Sequence, residues 1–359
     1  MMKSLEEMIG AARRQGASDL HLTIGMPPIV RVNGEILTLP GYEPMQGNDI
    51  RNAMEPFIDD FLVQRFHENW RVCFSRSFSR LGYFRVSLYK RAGNMEASIR
   101  LGITKIPSFE ELGLPPVVED FARRPSGIVL ITGSTGAGKT TTFNAILDLI
   151  NRERRCKFIT IEDPIEFVHR PIHSLPIQQE VGTDVKSYTE GLNHALRQDP
   201  DVIGLGELRE LDTIASALTA AETGHLVIAT IHTNDAVSTV NRIIDVFPGR
   251  QQEQIRYQLA ESLQAVINQR LLTRMDKEGR VLAYEIMLAN EAVKNLIREN
   301  RCHMLQNVIN TGSSMGMCAL ETKVKDLYEK GIIGYDTMNS CCPTKPNHQK
   351  RPEAMKRIS

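Results

Sequence analysis

Neither sign of charge prevails in this sequence: 43 lysines and arginines face 43 aspartates and glutamates. A chain so balanced lacks the overall basic field by which many proteins hold nucleic acid or an anionic membrane. Aromatic residues make up only 6%, with a single tryptophan, so a stacking platform for single strands is missing as well. No nucleic-acid partner is expected. No apolar stretch approaches the roughly 18 residues of a membrane-spanning helix. The N-terminal MMKSLEEMIG has no apolar signal-peptide core, and a cytoplasmic protein is expected. The six cysteines (Cys73, Cys156, Cys302, Cys318, Cys341 and Cys342) form no CxxC pair and no disulfide-like spacing, so reduced thiols are expected. No internal repeat is visible.

What is present suits a two-domain globular chain: 359 residues, taken at about 150 per domain, with 42% hydrophobic content. SLEEMIGAARRQG sets Leu5, Met8, Ile9 and Ala12 at helical spacing before Gly16. DLHLTI and PPIVRVNGEILTL read as short strands around an Asn33-Gly34 turn. RVCFSRSFSRLGYFRVSLYKRAGNMEASIRLG reads as three strands joined at Leu81-Gly82 and Gly93-Asn94. Residues 1–103 are thus expected to form an α+β domain with an antiparallel sheet, followed by a proline-marked linker over 104–118. From SGIVLITG the pattern changes: apolar strands at Ile128–Thr132, Phe158–Ile161, Val202–Leu205 and Leu226–Ile231 alternate with helical stretches. That grammar predicts a mostly parallel, helix-covered sheet within 119–338. After about residue 248 the pattern reads as largely helical, SLQAVINQRLL included. The last twenty residues hold five Lys/Arg, one Glu and three prolines, and 339–359 is expected to be a disordered basic tail.

The chemistry begins at GSTGAGKTT, which fits GxxxxGK[ST] between a strand and a helix. Gly133, Ser134, Thr135, Gly136, Ala137, Gly138, Lys139, Thr140 and Thr141 are expected to hold ATP. Glycines let backbone N–H groups approach phosphate closely, and the helix N-terminus adds its dipole. Lys139 is expected to reach the β- and γ-phosphates, and the Thr140 hydroxyl to hold Mg²⁺. DPDVIGLGE ends an apolar strand in Glu207, and ITIEDPIEF ends another in Glu162, Asp163 and Glu166. Strand C-terminal ends are where open α/β sheets place ligands, so Glu207 and Glu162 are candidates for the metal and the attacking water. Which of the two is the base stays open. GHLVIATIHTND carries two histidines seven positions apart, an odd separation that puts His225 and His232 on opposite faces of a strand and argues against a shared metal. His232, at the C-terminal end, is expected to sense the γ-phosphate; His225 is expected to be structural.

ASDLHL with PPIVRVNGE, GSTGAGKTTT, TIEDPIEFVH, ALRQDPDVIGLGELRELDTI, TAAETGHLVIATIHTNDA and VINQRLL, in this order, resemble the type II/type IV secretion ATPase superfamily and above all the PilT-type pilus retraction ATPases. The resemblance implies a PAS-like N-terminal domain, a RecA-like P-loop ATPase domain with a helical C-terminal part, and a cytoplasmic homo-hexamer peripheral to the inner membrane. Its implied partners are the inner-membrane pilus platform protein and, indirectly, pilin. It also implies arginines of the N-terminal sheet at the γ-phosphate, for which FRVSLYKR and ASIR offer Arg85, Arg91 and Arg100. Where retraction members carry AIRNLIRE, this chain has AVKNLIRE, and Lys294 lacks the planar fork of arginine. A cysteine-rich zinc insertion typical of assembly ATPases is missing, which favours retraction over assembly. An accessory or assembly ATPase and a RecA-like DNA motor are the competing expectations.

Overall fold

The computed structural model describes residues 4–32, 34–78, 82–102 and 106–342. Its first sheet comprises β1 (Asp19–Leu22), β2 (Ile29–Val32), β3 (Glu35–Thr38), β4 (Arg71–Phe78), β5 (Gly82–Arg91) and β6 (Asn94–Leu101). Their order is β3-β2-β1-β6-β5-β4, and every pairing is antiparallel. Alternation sets the faces: Phe84, Val86 and Leu88 of β5 point inward, while Arg85 and Arg91 face out. The inward face packs on the helix Leu5–Arg14, whose Leu5, Met8, Ile9 and Ala12 are buried as their spacing predicts. Ser4 and Glu7 close that helix with a capping box. Of the expected turns, Gly93-Asn94 joins β5 to β6, whereas Asn33 and Leu81 lie outside the described residues.

The second sheet comprises β7 (Gly127–Thr132), β8 (Lys157–Glu162), β9 (Leu175–Glu180), β10 (Val202–Leu205), β11 (Leu226–Ile231), β12 (Leu263–Thr273) and β13 (Arg280–Leu288). The order is β13-β12-β7-β11-β10-β8-β9, parallel from β12 to β9 with β13 antiparallel at the edge. Strands buried on both faces read as unbroken apolar runs, as IVLIT and LVIATI do. The helix Lys139–Glu153 packs on one face with Phe158, Val202 and Ile228. Helices Tyr188–Ala195, Leu211–Glu222, Ala236–Asp245 and Gly249–Ser262 cover the other, over Ile159, Ile203 and Val227.

Three expectations need correction. LQAVINQRLL and the later Arg280–Leu288 are strands, not helix: β12 occupies the slot beside β7 with β13 at its edge, and periodicity does not separate a fully buried strand from a buried helix. β9 is an unforeseen strand, because PIQQE offers little apolar alternation to read. The tail does not begin at residue 339. The helix Tyr335–Cys341 runs through that point, and Cys342 is buried against Val324 and Leu272. The rest of the expected tail, 343–359, lies outside the described residues. All six cysteines are free. Among the described residues no helix is long and apolar enough to cross a membrane.

Candidate active site

β7 ends in the glycine-rich loop, which wraps the N-terminus of the helix Lys139–Glu153. Gly136 and Gly138 hold φ of 77° and 89°, the left-handed region where glycine is favoured. At Gly133 the reason is closer still: a Cβ there would sit 2.5 Å from the Gln269 carbonyl oxygen of β12. The Lys139 Nζ donates to the Gly133 and Ser134 carbonyls at 2.8 and 2.9 Å and lies 3.3 Å from His232 Nδ1. Burial pushes this ammonium below the ordinary lysine pKa, and Glu207 acts in the opposite sense. A buried cation bonded to carbonyls, beneath backbone amides at a helix N-terminus, is a well built for an anion.

The loop opens on a cleft of about 500 Å³, lined also by residues from the ends of β8, β10 and β11. Glu162, at the end of β8, is buried and accepts hydrogen bonds from Thr160 Oγ1 at 2.7 Å and Gln178 Nε2 at 3.1 Å. Burial pushes its carboxyl up to about 7, Glu166 and Glu180 add to the rise, and the two hydrogen bonds oppose it. Glu207, past the end of β10, is part-exposed, with Oε1 3.9 Å from His232 Nε2. Gly206 lets these ends crowd together, since a Cβ on it would stand 3.2 Å from the Glu162 Cα.

The donor set fits a nucleotide with its magnesium ion. Among the described residues no group of three or more His, Cys, Asp or Glu could form an all-protein metal cage. Magnesium at phosphates is instead held by one or two carboxylates or hydroxyls together with the phosphates themselves. Thr140, Glu207 and Glu162 all line the cleft.

The histidines separate by strand end rather than strand face, flanking β11 on either side. His232 lies in the cleft against Lys139 and Glu207. His225 lies at the far end of β11, its Nδ1 3.0 Å from the Ala220 carbonyl of the preceding helix. The arginines divide too. Arg85 and Arg100 are cross-strand partners and line a smaller cavity of about 210 Å³ with Pro164, Ile165 and Glu166. Arg100 also pairs with Asp19 at 3.2 Å. Arg91 stands six residues further along β5, about 20 Å away at the strand rise, and pairs with the buried Glu96 at 2.9 Å. None of the three lines the phosphate cleft of its own chain.

Several lining residues escaped the sequence reading. Tyr188, Leu271 and Arg280 complete the cleft wall. Asn268 and Gln269 are fully buried behind it: Asn268 Nδ2 donates to Thr132 Oγ1 at 2.9 Å and Gln269 Nε2 to Thr142 Oγ1 at 2.7 Å. Two adjacent amides inside AVINQRLL were the available signal, since a buried polar side chain needs a partner across the sheet.

The family model for type II/IV secretion system proteins matches residues 95–332. The type IV pilus retraction ATPase PilT of Pseudomonas aeruginosa is 41% identical over 331 residues, covering 92% of this chain and 95% of that protein. A twitching motility protein of Neisseria gonorrhoeae is 41% identical over 308 residues, covering 85% of this chain and 82% of its own length. A crystal structure of the pilus retraction motor PilT with bound ADP superposes with a TM-score of 0.86 at 41% identity, covering 95% of this chain and 98% of that one.

Proposed function

This chain belongs to the type II/IV secretion system protein family, and from that premise we propose that it is a motor ATPase that hydrolyses ATP to drive type IV pilus retraction. In this reading it works as a cytoplasmic homo-hexamer against the inner-membrane platform protein and moves pilin indirectly. The observation that carries it is the meeting of the glycine-rich loop, Glu162, Glu207 and His232 in one cleft, in a chain 41% identical to a retraction ATPase.

The triphosphate of the substrate would lie on the amides of residues 136–141, and Lys139 would leave its own loop carbonyls for the β- and γ-oxygens. Thr140 and Glu207 would hold magnesium, which when bound neutralises charge developing on the phosphates. Glu162 suits the base that orients and deprotonates water, because a buried carboxyl that titrates near neutrality is matched to that task. His232 bridges Lys139 and Glu207 and so is placed to register whether the γ-phosphate is present. Arg85 and Arg100 suit donors offered to a neighbouring subunit. Arg91, tied to Glu96, suits a structural role instead.

Replacing Glu162 or Glu207 by Gln is expected to lower kcat for ATP by about 10²-fold or more, with only Glu162→Gln also removing the acidic limb of the pH profile. In cells, Glu207→Gln is expected to leave more surface pili and no twitching. Cells without pili would assign the motor to assembly, and unchanged pili and motility would assign it to another secretion system or an accessory role.

A further inference from the structure

We propose that the part-buried Gln178 and the buried His169 and Asn144 form a hydrogen-bond relay that positions the Glu162 carboxylate against the first turn of the phosphate-binding helix, which makes them positioning residues for hydrolysis. The relay rests on the reading of Glu162 as the base. It deepens that reading by naming what holds the base in register with Thr140.

The chain of bonds passes through His169, entering at its backbone N–H and leaving from its imidazole. Gln178, on β9, donates from Nε2 to Glu162 Oε1 at 3.1 Å and to the Phe167 carbonyl at 2.9 Å. Its Oε1 accepts the His169 backbone N–H at 2.8 Å. His169 Nε2 lies 2.8 Å from Asn144 Oδ1, and Asn144 Nδ2 donates to the Thr140 carbonyl at 2.9 Å. Because the Asn144 amide nitrogen faces Thr140, its oxygen faces the imidazole and accepts, so Nε2 carries the proton. Nδ1 is then a bare lone pair, and it has no partner among the described residues. Burial pushes the ring down to about 4, which keeps it neutral at working pH. Phe158 packs edge-on against it with centroids 5.5 Å apart.

Four segments meet in this relay: β8, β9, the loop between them and the phosphate-binding helix. Packing alone does not call for a polar link at each junction, since a buried amide left half-satisfied is costly. Around Glu162 stand Thr160 on its own strand, Glu166 on the loop and Glu180 on β9. The Tyr83 and Tyr188 phenols also face it and are held neutral, each raised well above the ordinary tyrosine pKa by burial. Gln178 is the side chain from another element that favours its ionised form.

The sign follows. Water activation needs Glu162 ionised, so activity falls as pH drops through its pKa. Loss of the Gln178 donor raises that pKa further and moves the limb to higher pH. In Gln178→Met the acidic limb of kcat is expected to move up by about one pH unit. At neutral pH kcat should fall about tenfold, while ADP affinity stays within about twofold. Infrared titration supplies a readout free of turnover. A protonated carboxyl band that titrates near neutrality and is lost in Glu162→Gln should titrate at higher pH in Gln178→Met. A limb and a band both unmoved in Gln178→Met would overturn the relay, whatever happens to kcat. If Glu162→Gln keeps full activity, the base reading fails, and the infrared band still decides whether Gln178 governs the carboxylate. Should Gln178→Met not fold, Gln178→Asn draws the same donor back by one methylene and carries both readouts.

Discussion

Lys139, proposed to neutralise phosphate, is folded onto the carbonyls of its own loop. Desolvation lowers its pKa, so folding at neutral pH disfavours the charge it carries. That penalty is present below the folded-state pKa and is relieved as pH rises through it. Lys139→Met is therefore expected to raise the melting temperature of nucleotide-free protein by about 2 °C or more. The same variant should lose the stabilisation that added nucleotide gives wild type, and calorimetry with and without ADP reads both effects. Gly133→Ala belongs to this scale as well. A methyl 2.5 Å from the Gln269 oxygen at a φ of 143° forces the loop apart. ADP affinity, measured by titration, is expected to fall at least about tenfold. The glycine-rich loop at the start of the helix was legible in the sequence, because GSTGAGKT lies between an apolar strand run and a helical stretch. Asn144 was not: nothing local marks an asparagine in a helix as bonded to a histidine twenty-five positions away.

Among the elements, legibility followed the kind of burial. β7, β8, β10 and β11 announce themselves because strands enclosed on both faces must be almost wholly apolar, with Glu162, Glu207 and His232 at or just past the ends of the last three. β12 carries the same burial but interrupts it with Asn268 and Gln269, and its length suits a helix equally well. β9 was hidden for the opposite reason, since its Gln178 is held through side-chain bonds to Glu162, Phe167 and the His169 backbone rather than by apolar burial. The strand β12 is expected to feel its amides. Gln269→Leu leaves Thr142 without its partner and should lower the melting temperature by about 2–4 °C. Nucleotide binding should weaken with it, because the same residue's carbonyl lies against Gly133.

Across the whole molecule, two sheets with separate cores meet at a few polar contacts. Between them, the Tyr83 hydroxyl of β5 donates to Glu180 Oε2 of β9 at 2.6 Å; within the first unit, Arg13 Nη2 holds the Tyr83 and Gly102 carbonyls at 3.2 and 3.0 Å. The outward faces of Arg85 and Arg100 are left beside the loop that carries Glu166. On the proposal that Arg85 and Arg100 serve a neighbouring subunit, Arg85→Ala or Arg100→Ala is expected to cut turnover by about 10³-fold while leaving the ADP affinity of a single subunit unchanged. Arg91→Ala should act on stability instead, because it strands the buried Glu96. Steady-state kinetics beside equilibrium binding separates these outcomes. Glu180 Oε2 accepts the Tyr83 hydroxyl and also the Ile165 backbone N–H, three residues past Glu162. Under the proposed role of Glu162 as the base, a load that draws the N-terminal sheet away from the ATPase sheet tugs on the segment that carries that carboxylate, so a stalled pilus would slow the chemistry that pulls it.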